Sequence, residues 1–203
     1  MLFRSRPAGT PGTQGLEVVA RRAGVDYVGV DLSGHWPVLS VHEAISQAVG
    51  REVTVDTPVP ELEALARAHD IDLPPAAGAG EIIGALYDDL VEARTLAPTF
   101  YTDFPVETSP LTRQHRDDPR LAERWDLVAW GMELGTAYSE LTDPAEQRER
   151  FTAQSLRAAA GDPEAMSLDE DFLQALELGL VPTGGLGLGV DRVAVNQDRK
   201  SVV

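Results

Sequence analysis

The stretch from Trp125 to Glu140 restricts the fold more than any other part of the chain. Asp126 to Val128 and Gly131 to Tyr138 are both β-prone, so two adjacent strands are expected. Ala129-Trp130 is the expected two-residue turn, although neither residue favours the left-handed backbone of a tight hairpin. A hairpin closed there sets Asp126 directly opposite Glu133. Like charges so placed repel. A divalent cation between them reverses the sign, and hard carboxylate oxygens suit magnesium. With period two, Gly135, Ala137 and Ser139 continue on the same face and leave room for a ligand. Met132, Leu134 and Tyr138 are then expected on the other face, as core. The competing reading leaves both carboxylates in water on an uncovered sheet.

A second pattern closes the chain. Gly185, Gly187 and Gly189 alternate as a strand would, and Asp191-Arg192 follow. Alternating glycines let either a flat ligand or another chain segment approach the backbone closely. An arginine just beyond them can pair with phosphate oxygens in fixed geometry. The run is neither a P-loop nor a dinucleotide fingerprint, because the following residues and the spacing are wrong. His35, His42, His69 and His115 have no metal-ligand spacing and are expected at the surface or in packing, and no Ser-His-Asp set is evident.

Helix signals organise the remainder. Ser40 caps a helix to Val49 that Gly50 stops. Pro60 to His69 reads as a second helix, inside a proline-rich segment 51–79 expected as a peripheral insert. Ile82, Ile83, Leu86, Leu90, Ala93 and Ala97 mark a helix from Gly80 to Ala97, followed by a buried strand at Thr99 to Thr102. Asp143-Pro144-Ala145-Glu146 opens a helix with a capping box. Asp169 to Leu178 forms the last, with Phe172 and Leu176 sharing its buried face. Residues 1–15 and 196–203 are expected to be disordered or foreign tails around a domain at 16–195.

The formal net charge of −16 argues against nonspecific nucleic-acid binding and against adhesion to anionic membranes. The absence of cysteine removes disulfides, thiolate zinc sites and cysteine nucleophiles. No stretch approaches about 20 consecutive apolar residues, and no signal-peptide core is present at the start. A cytoplasmic protein is the simplest expectation.

Several segments in order resemble the C-terminal part of the catalytic domain of class II lysyl-tRNA synthetases. They are Ala97-Pro98-Thr99-Phe100, Asp103-Phe104-Pro105-Val106-Glu107, Ser109-Pro110-Leu111, Gly131-Met132-Glu133-Leu134-Gly135-Thr136-Ala137-Tyr138-Ser139-Glu140-Leu141, Asp143-Pro144, Gln147-Arg148, Asp169-Glu170-Asp171-Phe172 and the glycine run to Arg192. Gly-Met-Glu-Leu-Gly-Thr resembles the actinobacterial variant, in which the synthetase is often fused to a membrane lysyl-phosphatidylglycerol synthase.

The resemblance implies an α+β fold, a six- to seven-stranded antiparallel sheet flanked by helices and incomplete here. It implies lysine, ATP, magnesium and tRNA(Lys) as ligands. Asp126 and Glu133 would hold magnesium. Glu133, Thr136, Tyr138 and Glu140 would line the lysine pocket, with Glu140 on the ε-ammonium. Gly185, Gly187 and Gly189 would line the adenine site, Glu133 would also contact ATP, and Arg192 would be the motif 3 arginine on its phosphates. The implied reaction forms lysyl-adenylate and transfers lysine to tRNA. Met132 and Thr136 depart from the usual arginine and asparagine. The anticodon barrel, motif 1 and motif 2 are not among these residues, so the chain is expected to be part of a longer product and inactive alone. A homodimer is implied for the full-length family member and does not carry to this part. Alternatives are a fragment of the fused lipid synthase, a paralogue that lysylates protein, and a non-catalytic lysine-binding module.

Overall fold

A computed structural model describes residues 34–75, 77–159, 166 and 168–193. Tyr27 to Leu32, whose alternating apolar residues predict a short strand, and both terminal tails lie outside these residues. The described residues form an α+β fold built on one five-stranded sheet in the order β1-β2-β3-β4-β5: Val38–Ser40, Thr99–Pro105, Leu121–Ala129, Met132–Ser139 and Gly184–Leu188. Strands β2 to β5 are antiparallel neighbours, whereas β1 pairs with β2 in parallel.

Local chemistry sets the helices. The Ser40 hydroxyl accepts from the Glu43 N–H at 3.1 Å to open α1 (Val41–Val49), which ends at Gly50 with φ 69°. Helix α2 (Val59–Ala68) starts after Pro58 and carries Pro60 in its first turn. The Glu81 carboxylate accepts from the Gly78 N–H at 2.6 Å at the start of α3 (Ala79–Leu90). The helix expected as far as Ala97 thus stops at Leu90, and a 3-10 turn follows at Glu92–Arg94. The break has a local cause: the Thr95 hydroxyl donates to the Val91 carbonyl and contacts the Tyr101 hydroxyl, which gives the backbone an alternative to further helix.

One face of the sheet is covered by α1, α2 and α3. Val41, Ile45, Leu62, Ile82 and Leu86 pack there with Tyr101, Phe104 and Val128, and Tyr87 lies edge-on to Tyr101 and Phe104 with centroids 5.3 Å away in each case. Segment 51–79 adds Val53, Leu62, Leu65, Ala66 and Ile71 to this same core. On the opposite face Trp36, Phe100 and Trp125 pack in a row, the first pair tilted and the second edge-to-face.

Helix α4 (Pro144–Ala159) is capped by Asp143, whose Oδ1 accepts from Ala145 and Glu146. Helix α5 (Glu170–Glu177) is capped by Asp169, which accepts from Phe172 N–H. The buried face of α5 is Leu173 with Leu176, not Phe172 with Leu176. Phe172 sits at the border, its ring 5.8 Å from that of Phe151.

Candidate functional site

The β3–β4 hairpin turns at Trp130-Gly131, one residue later than expected. Both residues have positive φ, 54° and 71°, as a type I′ turn requires. Gly131 adopts that backbone freely. Trp130 bears its cost, offset by burial and by a hydrogen bond from its N–H to the Leu96 carbonyl, beside one from Gly131 N–H to the Thr95 carbonyl. Gly131→Val should therefore destabilise the fold by about 1–3 kcal/mol. Urea unfolding followed by circular dichroism measures this, and an unchanged midpoint would mean that the turn is not held in this conformation.

The later turn changes the register. Ala129 faces Met132 and Val128 faces Glu133, then a bulge at Leu134 intervenes, after which Leu127 faces Gly135, Asp126 faces Thr136 and Arg124 faces Tyr138. Asp126 is therefore not opposite Glu133. Directly opposed residues project to one side of an antiparallel pair, so Arg124, Asp126, Glu133, Thr136 and Tyr138 share a face. Gly135 and Ala137 lie on the other, with Leu127 and Trp125. Two expectations are thereby corrected: Gly135, Ala137 and Ser139 do not accompany Glu133, and Tyr138 does not lie on the face away from Asp126. The bulge is the physical reason. It inserts one residue between Glu133 and Thr136, so an odd-numbered carboxylate joins even-numbered neighbours.

Strand β5 extends this face, with Gly187 opposite Thr136 and Gly185 opposite Tyr138. Gly189 lies just beyond the strand and donates to the Leu134 carbonyl at 2.9 Å. A side chain at Gly185 would collide with Glu140 Oε1 and approach the Tyr138 ring. With no Cβ at Gly185, the Glu140 carboxylate lies directly against this strand. Glu140 is also held through its backbone, bridging to Thr112 and donating to the Thr183 carbonyl at 2.9 Å. Burial pushes its carboxyl above the usual range, and no cation pairs with it among the described residues.

The other end of the face holds acids with arginines. Arg192 Nη1 donates to the Glu133 carbonyl at 2.7 Å and lies 3.7 Å from Glu133 Oε1. Asp126, 3% exposed, accepts two hydrogen bonds from Arg124, at 3.0 and 2.6 Å. Glu92, from the 3-10 turn, accepts from Glu133 N–H at 3.3 Å. Its carboxyl is held above the usual range by burial first, then by the charges of Asp88, Glu133 and Asp126.

Sequence reasoning missed Arg124, Glu92 and a stripe on α4. Gln147, Arg150 and Gln154 follow one face of that helix and donate to the carbonyls of Pro110, of Ser109 and Thr112, and of Glu107. They fix the loop that bridges to Glu140 and supports Arg124. The signal for Arg124 was present, because residues two apart in a strand share a face. Glu92 is forty-one residues from Glu133 and carries no local signal.

Asp126 and Glu133 share a face, and their hard carboxylate oxygens would suit a magnesium ion that takes its remaining ligands from phosphates. Among the described residues, however, no three acidic or histidine side chains converge on one point, and both Asp126 oxygens are occupied by Arg124. A cavity of about 320 Å³ between α1, residues 90–97 and β2 contains none of these residues, so the candidate site is the sheet face itself. That face carries at one end the Glu140 carboxylate, with no cationic partner among the described residues, and at the other the Arg192 guanidinium.

A family model for class II tRNA synthetases (D, K and N) matches residues 13–197. Among similar proteins is the lysylphosphatidylglycerol biosynthesis bifunctional protein LysX of Gordonia bronchialis, 63% identical over 166 residues, which is 82% of this chain and 15% of that protein. Proteins of the same name from Nocardia farcinica and Mycobacterium tuberculosis are each 59% identical, over 88% and 82% of this chain and 16% and 14% of theirs. The chain thus spans about one seventh of the length of these relatives.

Proposed function

The chain belongs to the class II tRNA synthetases of the D, K and N group, and on that premise we propose that its β4–β5 face binds lysine for activation as lysyl-adenylate. One observation carries this reading: Glu140 is a partly buried carboxylate without a cationic partner among the described residues, in a niche that Gly185 leaves open beside Tyr138. An alkylammonium ion would supply the missing charge, and the Tyr138 ring would flank its methylene chain.

In this reading the lysine carboxylate points from Glu140 toward Thr136, and the phosphates of ATP lie toward Arg192. Arg192 pairs with phosphate oxygens and is held over Glu133 by its bond to that residue's carbonyl. Adenine lies against the Gly187–Gly189 edge, while Gly185 is given over to Glu140. Magnesium held by Asp126 and Glu133 would neutralise phosphate charge. Attack of the lysine carboxylate on the α-phosphorus forms the mixed anhydride and expels pyrophosphate. A hydroxyl of the tRNA 3′ end then takes the lysyl group as the anhydride breaks and AMP leaves with the hydroxyl proton. The chain's own contribution is placement and charge compensation, with no general base needed.

The relatives' name supports a further placement: lysyl-tRNA made here would supply a lysylphosphatidylglycerol-forming partner domain. A protein-lysylating enzyme or a lysine sensor would use the same pocket. Transfer of labelled lysine to tRNA, to protein or to neither by the full-length gene product separates the three.

Titration calorimetry of L-lysine into the 203-residue chain with ATP and Mg²⁺ tests the pocket. Saturable heat that disappears in Gly185→Val, whose side chain would meet Glu140, is the expected result. Equal heat from both proteins would remove the lysine site from this niche.

A further inference from the structure

We propose that Arg124 is the resident counter-ion of this face and the group that a divalent cation must displace to reach Asp126. The inference rests on the reading of Asp126 as a metal-binding carboxylate. Arg124 Nε lies 3.0 Å from Asp126 Oδ1 and Nη2 lies 2.6 Å from Oδ2, so one planar fork covers both oxygens. The Asp126 side chain is 4% exposed, against 31% for Glu133. A cation arriving from solvent meets Glu133 first and finds Asp126 already neutralised.

Arg124 has two further anchors, and neither depends on Asp126. Its guanidinium carbon stands 4.3 Å over the Phe104 ring centroid, and Nη1 lies 3.5 Å from Ser109 Oγ. Both supports are themselves fixed. Phe104 packs edge-on against Tyr87, and the Ser109 carbonyl accepts from Arg150. The guanidinium can therefore release the carboxylate and remain on the face, directly opposite Tyr138 in the register. Arg124 is a positioning residue: it holds the Asp126 carboxylate in one orientation and sets the cost of cation entry. Arg192 plays no equivalent part, because its short contact is to the Glu133 carbonyl and its carboxylate contact is long.

The test uses Mn²⁺ as the probe, titrated into the 203-residue chain without nucleotide or lysine and followed by electron paramagnetic resonance. Removing a two-pronged charged competitor should tighten binding, so Arg124→Met is expected to hold Mn²⁺ at least about tenfold more tightly than the parent. Adding Asp126→Asn to Arg124→Met should erase that gain. Mn²⁺ should also raise the melting temperature of Arg124→Met by more than that of the parent. Equal or weaker binding by Arg124→Met overturns the proposal. So does a gain that survives Asp126→Asn, which would make Arg124 only a distant field, and so does undetectable binding by Arg124→Met. If Arg124→Met does not fold, Arg124→Lys decides the matter. Its single ammonium cannot cover both oxygens, and about threefold tighter binding is expected, with unchanged affinity as the contrary result. Because no lysine is present, failure of the ligase reading would show in the lysine titration and leave this comparison intact.

Discussion

Replacing Glu140 by glutamine should weaken lysine binding by about 100-fold or more, the loss expected when a partly buried ion pair is deprived of one charge. The pH dependence identifies the cause. Burial raises the Glu140 carboxyl above its ordinary range in the free protein, and an ammonium partner favours the charged form and draws the value back down. Lysine affinity should therefore fall as pH drops through the raised range, and binding in that range should release a proton. Calorimetry in two buffers of different ionisation enthalpy reads that proton, and Glu140→Gln should show neither effect. Stability moves the other way. A carboxyl raised in the folded state contributes stability that is present at low pH and lost as pH rises through its folded value. At neutral pH the charge is a cost to the fold, so Glu140→Gln should be at least as stable as the parent. A destabilised Glu140→Gln with unchanged lysine affinity would make Glu140 structural.

Asp126→Ala should behave in the opposite manner. It leaves the Arg124 guanidinium, 23% exposed and wedged between Phe104 and Ser109, without the carboxylate that neutralises it. Stranding one member of a buried pair costs about 3 kcal/mol, and the loss should appear as a lower urea midpoint at an unchanged slope. Arg124→Met/Asp126→Leu, which removes both charges, should recover much of it. If Asp126→Ala unfolds at the parent's midpoint, the pair contributes nothing and the site face is not organised around it. The exposed pair of Arg148 with Glu170 offers a contrast, since both partners are solvated and its loss should be hardly measurable.

The contrast between helix ends and hairpin register shows where legibility in the sequence stops. Ser40, Gly50, Asp143 and Asp169 act on backbone groups within four residues, so each boundary follows from its own neighbourhood. The existence of a hairpin follows from similarly local patterns at Asp126 to Val128 and Gly131 to Tyr138, although β3 begins earlier, at Leu121, whereas the α+β class comes with the family resemblance. Register is different. Moving the turn from Ala129-Trp130 to Trp130-Gly131 and adding a bulge at Leu134 changed every opposed pair. The glycine at the second turn position was the local hint, whereas nothing near Leu134 announces a bulge. Residues proposed from the family resemblance did not depend on that register. Period two places Tyr138 on the face away from Glu133, and the bulge instead brings Tyr138, with Thr136, onto the face of Glu133. The premature end of α3 was legible only in part, because Thr95 turns the chain through its contact with Tyr101 as well as with Val91. Glu92 and the Gln147, Arg150 and Gln154 stripe are positioned by long-range packing, which periodicity alone does not report.

Lysine activation on this face depends on an ammonium-binding carboxylate at Glu140, and parallel titrations of L-lysine and L-norleucine into the chain test that dependence most directly. The two ligands share a backbone and a four-carbon side chain, and only lysine carries the terminal ammonium. Saturable heat from lysine and none from norleucine, with ATP and Mg²⁺ present, is the predicted result. Equal affinity for both would show that the pocket does not read the ammonium, and would contradict the assignment of this face to lysine activation.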